Sequence, residues 1–194
     1  MNKIFKLKEQ LENYTPYNEQ EKSEKEIMLK SIEIFDDMLT RENKICHFTA
    51  SNWIVNEERT KILMIYHNIY KSWAWTGGHA DGDADLLHVA LKEAEEETGL
   101  KNLKVLSDGI YGIQIVTVDN HMKRGNFVSS HLHFDCCFLL EADENEILKI
   151  KEDENSGVQW IDIDKVVEAS NEEKMKPIYR KLNEKLYRML QKDL

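Results

Sequence analysis

A stretch that opens with two glycines constrains the fold and the chemistry of this chain more than any other part of it. Residues 77–100 read GGHADGDADLLHVALKEAEEETGL. Asp85 is placed to begin a helix, because its carboxylate can accept hydrogen bonds from N–H groups that have no partner in the first turn. Apolar residues then follow at helical spacing, and Gly99 supplies the left-handed residue that commonly ends a helix. The stretch therefore predicts a glycine-bearing loop that runs into one short helix with a buried face.

Three glutamates share the other face of this predicted helix. Glu93, Glu96 and Glu97 stand three and four residues apart, the spacing at which side chains are neighbours on a helix. Like charges this close destabilise a helix, especially near its C-terminus, where the helix dipole disfavours anions. A solvated acidic face is the simplest interpretation. Three features together favour a site for a hard divalent cation such as Mg2+, which prefers oxygen ligands. They are the glutamate spacing, the glycine pair and the glycine that ends the helix.

The stretch resembles the Nudix box, whose pattern is G-x5-E-x7-R-E-U-x-E-E-x-G-U, where U is a large apolar residue. Aligned on Gly78, the pattern places Lys92 at its arginine. Its three core glutamates fall on Glu93, Glu96 and Glu97. Because the E-x-x-E-E-x-G core is specific to the family, the resemblance is to a Nudix domain.

Three positions depart from the family pattern. Ala84 stands where the first glutamate is expected, Lys92 replaces the arginine, and Ala94 is small for a U position. Asp83, one position earlier, is the candidate replacement for the missing carboxylate. Lys92 keeps a positive charge that can pair with Glu96 at i+4, although it lacks the planar fork of a guanidinium group.

The resemblance implies a fold class and an activity. The fold is the α/β (α+β) Nudix fold, an α/β/α sandwich with a mixed β-sheet. The activity is hydrolysis of a nucleoside diphosphate linked to another group, by attack of water on phosphorus, so the partner is a small nucleotide derivative. The expected cofactor is Mg2+, with Mn2+ as a substitute, since a cation neutralises the phosphate oxygens and acidifies the water. The box does not select one nucleotide derivative from another.

The resemblance also assigns roles to individual residues of the box. Glu96 and Glu97 are implied as the main metal ligands, and Glu93 as a ligand or an orienting group. The carbonyl group of Gly77 is implied as a further metal ligand.

A second feature of the family lies outside the box. A loop glutamate shortly before a tryptophan-bearing strand reaches the metal site, and Glu154, six residues before Trp160, matches that feature. Glu154 is implied as a ligand or as the general base, and it completes a catalytic group with the three box glutamates. Glu152 or Asp153 could serve instead, because acidic residues are dense here. The resemblance does not fix which carboxylate takes the proton.

Three functions compete. A metal-dependent hydrolase is the leading hypothesis. The alternative is a catalytically weakened Nudix-fold nucleotide-binding sensor, which Ala84 permits, although the presence of Glu93, Glu96 and Glu97 favours the enzyme. The third is a scaffold that acts through the N-terminal residues. Isoprenoid diphosphate isomerisation, a neighbouring activity on the same fold, has no convincingly positioned cysteine and acid pair in this sequence.

The first 44 residues have no counterpart in the Nudix box. Apolar residues recur at helical spacing on both sides of a break at residues 14–18, so we predict two helices, the second beginning after Asn18 and ending near Thr40. We therefore divide the chain into an N-terminal helical extension, 1–44, and a Nudix hydrolase domain, 45–194. A helical hairpin packed on the domain is the simplest role of the extension. The alternatives are a substrate lid and a dimerisation arm, and the latter would make the protein a homodimer.

The period of the apolar residues changes to two after residue 45. Cys46–Val55 and Lys61–His67 predict a hairpin whose first strand is half buried, with a turn at residues 56–60. The other predicted elements are strands at 103–107, 110–118 and 131–140, a long polar loop at 119–129 and a helix at 175–190. Trp73 and Trp75, which precede the glycine pair, are either packing residues or a platform on which a base stacks.

Two histidines share one face of the strand at residues 131–140. The alternation of a strand puts His131 and His133 on the same side, in register with Asp135. A histidine in a strand is usually a hydrogen-bonded core residue. The functional interpretation is that these two histidines, with His79 after the glycine pair, bind the substrate. Zinc is a less persuasive hypothesis, because the sequence places no third nitrogen or sulfur ligand.

The acidic composition limits the partners of the chain. A net charge of -10 over 194 residues argues against a nucleic acid or an anionic membrane as a partner. No apolar stretch reaches the length of a membrane span and the N-terminus lacks a signal-peptide pattern, so we expect a cytoplasmic location. The three cysteines lack the spacing of a metal site, which predicts buried thiols.

Overall fold

The computed structural model describes residues 4–123 and 125–192, and within them it has five helices and ten strands. The helices are α1 (Ile4–Asn13), α2 (Glu19–Ile34), α3 (Leu86–Thr98), α4 (Val166–Ala169) and α5 (Lys176–Lys192). The strands are β1 (Cys46–Asn56), β2 (Lys61–His67), β3 (Ser72–Ala74), β4 (Thr76–His79), β5 (Lys104–Val105), β6 (Gly112–Val118), β7 (His121–Lys123), β8 (Asn126–Val128), β9 (His131–Ala142) and β10 (Asn155–Asp162). A membrane crossing requires a longer and more apolar helix than any found in these described residues.

Eight of the strands form one sheet with β1 at its centre. The path is β10–β2–β1–β9–β5, with β3 paired to β2, β4 to β1 and β6 to β9. The pairs β1–β2, β2–β10 and β6–β9 are antiparallel. A mixed sheet combined with five helices in the described part of the chain confirms the predicted α+β fold class.

Strand β1 matches its prediction in pairing and differs from it in burial. The hairpin with β2 is confirmed, since Val55 pairs with Ile62 in antiparallel register. The expectation of a half-buried strand is wrong, because every residue of β1 is buried. Strands with both faces covered lose the contrast between an inner and an outer face. Polar side chains such as Thr49 and Ser51 consequently lie in the interior.

The segment predicted as a long polar loop at residues 119–129 contains a small hairpin instead. Strands β7 and β8 pair in antiparallel register, with Met122 opposite Phe127. Both of these side chains are exposed, so the hairpin adds little to the core. The sequence predicts a loop here because strand predictions depend on an alternation of apolar and polar residues, and this polar segment lacks that alternation.

The chain divides into two compact units. The first comprises Met1–Ser51, Gly77–Ala90 and Gly109–Phe138. The second comprises Asn52–Thr76, Leu91–Asp108 and Leu139–Leu194. The boundary that we placed at residue 45 stays a prediction.

In the first unit, the two N-terminal helices pack against each other and against the sheet. Helix α1 contacts α2, and α2 contacts β6. The apolar side chains Leu7 and Leu11 of α1 and Met28 of α2 are fully buried. The N-terminal residues therefore contribute to the core of this unit.

The ends of α2 follow from local sequence. Asn18 accepts a hydrogen bond from the N–H of Glu21, which caps the helix and confirms its predicted start. The helix ends at Ile34, earlier than predicted, because Phe35 has an extended backbone.

In the second unit, α5 packs on β1 through aromatic rings. The buried ring of Tyr179 stacks on Trp53 with centroids 5.3 Å apart, and it meets Trp75 at 5.5 Å. Trp73 packs against Tyr66 with centroids 5.5 Å apart. The structure thus gives Trp73 and Trp75 packing partners inside the unit, and α5 confirms the predicted C-terminal helix.

Candidate active site

Helix α3 begins and ends where the sequence predicts. The carboxylate of Asp85 accepts a hydrogen bond from the N–H of His88 at 3.2 Å, which caps the first turn. At the other end, the N–H of Gly99 donates to the carbonyl of Glu95 at 2.9 Å, and Gly99 takes a left-handed φ of 77°. Between these two ends the backbone is helical, so side chains three and four residues apart share a face.

The three box glutamates lie in the second unit, and so does Glu154, in the turn before β10. Lys151 Nζ lies 3.0 Å from Glu96 Oε2 and 3.1 Å from Glu154 Oε2. One ammonium group therefore joins a carboxylate of the helix to a carboxylate of the loop. The structure brings together two predicted site residues that are far apart in the sequence. We call Glu93, Glu96, Glu97 and Glu154 the carboxylate cluster.

A buried asparagine holds the end of α3 beside the start of β10. Asn155 Nδ2 donates to the carbonyl of Glu97 at 3.0 Å, and both residues are buried. The N–H of Lys149 donates to the carbonyl of Thr98 at 2.7 Å. The loop that carries Glu154 is therefore fixed by hydrogen bonds to two backbone carbonyls in the last turn of the helix.

The groups in the carboxylate cluster differ in their proton affinity. The hydrogen bond from Lys151 lowers the pKa of Glu96. Burial raises the pKa of Glu93. Burial alone would lower the pKa of Lys151, but its hydrogen bonds to Glu96 and Glu154 outweigh burial and raise that pKa. Lys151 therefore stays charged, and sequence reasoning missed it because a lysine in an acidic, polar segment carries no signal.

The donor atoms of the carboxylate cluster fit a hard divalent cation. Carboxylate oxygens are the ligands that Mg2+ and Mn2+ take. The ammonium group of Lys151 already lies between Glu96 and Glu154, so these side chains converge closely enough to share one positive charge. The structure shows this for Glu96 and Glu154, and metal binding by the four residues of the cluster stays a prediction.

Lys92, which departs from the Nudix box pattern, and Asp83, the candidate replacement carboxylate, both have local partners. Lys92 Nζ lies 3.5 Å from Glu96 Oε1. Asp83 Oδ1 accepts from the N–H of Asp85 at 2.9 Å, and Asp83 Oδ2 lies 2.8 Å from His88 Nδ1. Asp83 thus shapes the start of α3, and its role as a replacement carboxylate stays a prediction.

Gly77 lies where β4 runs close to β1. A Cβ atom at this position would lie 2.5 Å from the carbonyl oxygen of Ala50 and 2.8 Å from Ser51 Cα. Only glycine fits such a close approach of two backbones. The role of the Gly77 carbonyl as a metal ligand stays a prediction.

Four histidines meet in the first unit, on three strands. His47 lies on β1, His79 on β4, and His131 and His133 on β9. The ring centroid of His47 lies 5.2 Å from that of His79 and 5.0 Å from those of His131 and His133. The structure thus brings together the three histidines predicted to bind substrate and adds His47, which the sequence did not single out.

These histidines also supply the third nitrogen ligand that the sequence did not place. His47, His79 and His133 present ring nitrogens that all lie within 4.8 Å of one another. Burial is the main cause that lowers the pKa of His133 to about 2, and the neighbouring imidazole rings lower it further. Burial also lowers the pKa of His47. Both rings are therefore neutral near pH 7 and carry a lone pair.

The sequence matches a protein-family model over most of its length. A family model described as the NUDIX domain matches residues 47–182. The chain belongs to the Nudix family. As a member of this family it is a Nudix-type hydrolase, acting on pyrophosphate bonds. The match includes the box helix and the loop that carries Glu154.

Solved structures of several hydrolases share this fold. The Ap4A hydrolase of C. elegans in a binary complex is 15% identical, over 74% of this chain and 97% of that chain, with a TM-score of 0.54. A NUDIX family hydrolase from Clostridium perfringens is 20% identical, over 72% and 97% of the two chains, with a TM-score of 0.51. The Nudix hydrolase RenU of M. smegmatis is 16% identical, over 71% and 84%, with a TM-score of 0.53. No curated protein matches the sequence of this Nudix chain.

Proposed function

We propose that this Nudix protein hydrolyses the diphosphate linkage of a small nucleoside diphosphate derivative, with Mg2+ as its cation. Glu96, Glu97 and Glu154 would hold the ion, and Glu93 would be a further ligand or an orienting group. The observation that carries the proposal is the position of Lys151 between Glu96 and Glu154. This position supports the proposal that the box helix and the loop before β10 bind one cation together.

The reaction is an attack of water on a phosphorus atom surrounded by negative oxygens. The water oxygen forms a new bond to phosphorus, and the bond from phosphorus to the bridging oxygen breaks. A bound divalent cation would neutralise the phosphate oxygens and lower the pKa of the attacking water. The protein's own contribution is to hold the carboxylates in position, since Asn155 bonds the backbone of Glu97 and burial restricts its side chain.

The second candidate function is a nucleotide-binding sensor with weakened catalysis. Two observations support weakened catalysis. Ala84 stands where the family pattern has a glutamate, and Lys151 already neutralises two carboxylates that a metal would use. The same experiment separates the sensor from the hydrolase.

The test is a panel of nucleoside diphosphate derivatives incubated with Mg2+ or Mn2+, with release of phosphate and nucleotide measured. Wild type is compared with Glu97→Gln and with Glu95→Gln. Glu95 lies on the same helix with an exposed side chain, so its substitution controls for the loss of one negative charge. We expect Glu97→Gln to lose about a hundredfold or more in turnover and Glu95→Gln to keep it.

Each outcome has a definite meaning. Turnover that Glu97→Gln loses and Glu95→Gln keeps supports the hydrolase and names its substrate class. Equal turnover by wild type and Glu97→Gln shows that the site assignment is wrong. Tight nucleotide binding without turnover of any member of the panel supports the sensor.

A further inference from the structure

Three histidines of the first unit turn ring nitrogens toward one another. One nitrogen from each of His47, His79 and His133 lies within 4.8 Å of the other two. The three residues belong to β1, β4 and β9, which are strands of one sheet. Strands hold side chains more rigidly than loops do, so the arrangement is built into the fold.

The protonation of His47 follows from its surroundings. Its Nδ1 lies 3.0 Å from the carbonyl oxygen of Asn43. Because a carbonyl oxygen only accepts, Nδ1 carries the hydrogen and Nε2 carries the lone pair. Within the described residues, this buried Nε2 has no hydrogen-bond partner. A buried acceptor without a partner is costly, and an ion bound to it would remove that cost.

The ring of His133 is oriented in a similar way by His131. His131 Nδ1 lies 2.8 Å from the carbonyl oxygen of Ser129, so in the neutral ring His131 Nε2 carries the lone pair. That nitrogen lies 3.2 Å from His133 Nε2, which donates its hydrogen to it. The lone pair of His133 is then on Nδ1. Metal-binding histidines commonly donate their second ring N–H to a fixed acceptor, and both His47 and His133 have one.

We propose that His47, His79 and His133 form a binding site for a first-row transition metal ion, with Zn2+ as the reference ion. Imidazole nitrogens suit Zn2+, whereas Mg2+ takes oxygen ligands of the kind found in the carboxylate cluster. Three nitrogens leave one position of a tetrahedron open. The site shares no residue with the proposed Mg2+ ligands, and its existence does not depend on the proposed function.

Small movements of the side chains are enough to close the site. Nitrogens that bind a tetrahedral ion at about 2.0–2.1 Å lie about 3.4 Å apart. The separations here are at most 4.8 Å, so each nitrogen has to move by less than about 1 Å. Asp81 is left out of the ligand set, because Arg41 Nε donates to its Oδ1 at 2.8 Å and Arg41 Nη2 contacts its Oδ2.

Zinc binding to the full chain, stripped of metal with a chelator, tests the proposal. Isothermal titration with Zn2+ compares wild type with His79→Gln and His133→Gln. Both positions are partly exposed, so these substitutions disturb the core less than a change at the buried His47. With Mg2+ in excess to occupy the carboxylate cluster, we expect one Zn2+ per wild-type chain and affinity about tenfold weaker, or worse, in either variant. With Co2+ as a spectroscopic probe, wild type should show the visible absorption of a four-coordinate ion, and His79→Gln and His133→Gln should not.

Two control variants and a second readout complete the test. His121→Gln removes a histidine of β7 outside the group, and Glu97→Gln alters the carboxylate cluster; both should bind Zn2+ as wild type does. Zn2+ should raise the Tm of wild type by about 5 °C and leave that of His79→Gln unchanged. Equal Zn2+ affinity in wild type, His79→Gln and His133→Gln would overturn the proposal. Loss of Zn2+ binding in Glu97→Gln alone would also overturn it.

Discussion

Lys151 Nζ lies 3.0 Å from Oε2 of Glu96, so a carboxylate assigned to a metal site is already paired with a cation of the chain itself. The same ammonium group lies 3.1 Å from Glu154. A divalent ion that binds between these carboxylates has to displace the lysine. On the proposed function, metal affinity would therefore be set in part by competition within the protein.

Removal of this competitor should tighten metal binding. We expect Lys151→Met to bind Mn2+ about fivefold more tightly, since a partly exposed ion pair is worth about 1 kcal/mol. Titration of the nucleotide-free protein with Mn2+, followed by electron paramagnetic resonance, measures the change. Lys92→Met is the matched control, because Lys92 Nζ lies 3.5 Å from Glu96 on a side chain that is 57% exposed. Weaker Mn2+ binding in Lys151→Met would show that the lysine positions the carboxylates instead of competing for them.

A second prediction concerns a buried carboxylate of β9. Asp135 accepts hydrogen bonds from Thr49 Oγ1 at 2.9 Å, Ser51 Oγ at 2.6 Å and Gln114 Nε2 at 2.5 Å. Asp135→Asn puts an N–H group among these donors, and we expect the free energy of unfolding to fall by about 3 kcal/mol. Urea denaturation measures this change. Asp36→Asn, at an exposed position, should change it by less than about 0.5 kcal/mol, and a similar small change in Asp135→Asn would contradict the prediction.

The elements predicted well from the sequence are those whose signals are local. The sequence predicts both ends of α3, at Asp85 and Gly99, because an N-cap and a glycine with a left-handed backbone depend only on residues a few positions away. Helical spacing likewise places the three box glutamates on one face. The N-cap at Asn18 and the β1–β2 hairpin follow from the same kind of signal.

The features that the sequence did not predict depend on contacts between distant segments. Strand β1 is buried along its whole length and pairs with β2 and β9 on its two edges, and the pattern of a single strand does not contain these neighbours. His47 is one histidine in an apolar strand, and its importance arises only where β4 and β9 bring in His79 and His133. Lys151 acquires its role in the same way, from Glu96 on another element.

A third prediction concerns the close approach at Gly77. A Cβ atom there would lie 2.5 Å from the carbonyl oxygen of Ala50, and two adjacent backbones cannot separate without loss of sheet pairing. We expect Gly77→Ala to lower the free energy of unfolding by more than about 2 kcal/mol. Gly109→Ala is the matched control, since Gly109 has a φ of 95° but no atom within 4 Å of the added Cβ. Its cost should be the left-handed strain alone, about 1–2 kcal/mol, and an equal or larger loss in Gly109→Ala would contradict the argument.

The N-terminal residues are bonded to the rest of the first unit through backbone and side-chain groups. The N–H of Phe48 donates to the carbonyl of Met38 at 2.8 Å, and the N–H of Gly82 donates to the carbonyl of Leu39 at 2.8 Å. The carboxylate of Glu24 accepts from the N–H of Ile115 at 3.1 Å. Loss of this segment would leave buried strand backbone and apolar side chains without partners.

The fourth prediction is that the segment before Ile45 is required for folding. Deletion of residues 1–44 should abolish cooperative thermal unfolding and most of the soluble yield, because it exposes the core face of β6. A milder pair of substitutions tests the same packing in the full chain. Met28 is fully buried and Ile27 is 46% exposed, so Met28→Ala should cost about 2–4 kcal/mol and Ile27→Ala less than about 1 kcal/mol in urea denaturation. A soluble, cooperatively folded and active fragment beginning at Ile45 would show instead that the extension is accessory to a self-sufficient Nudix domain.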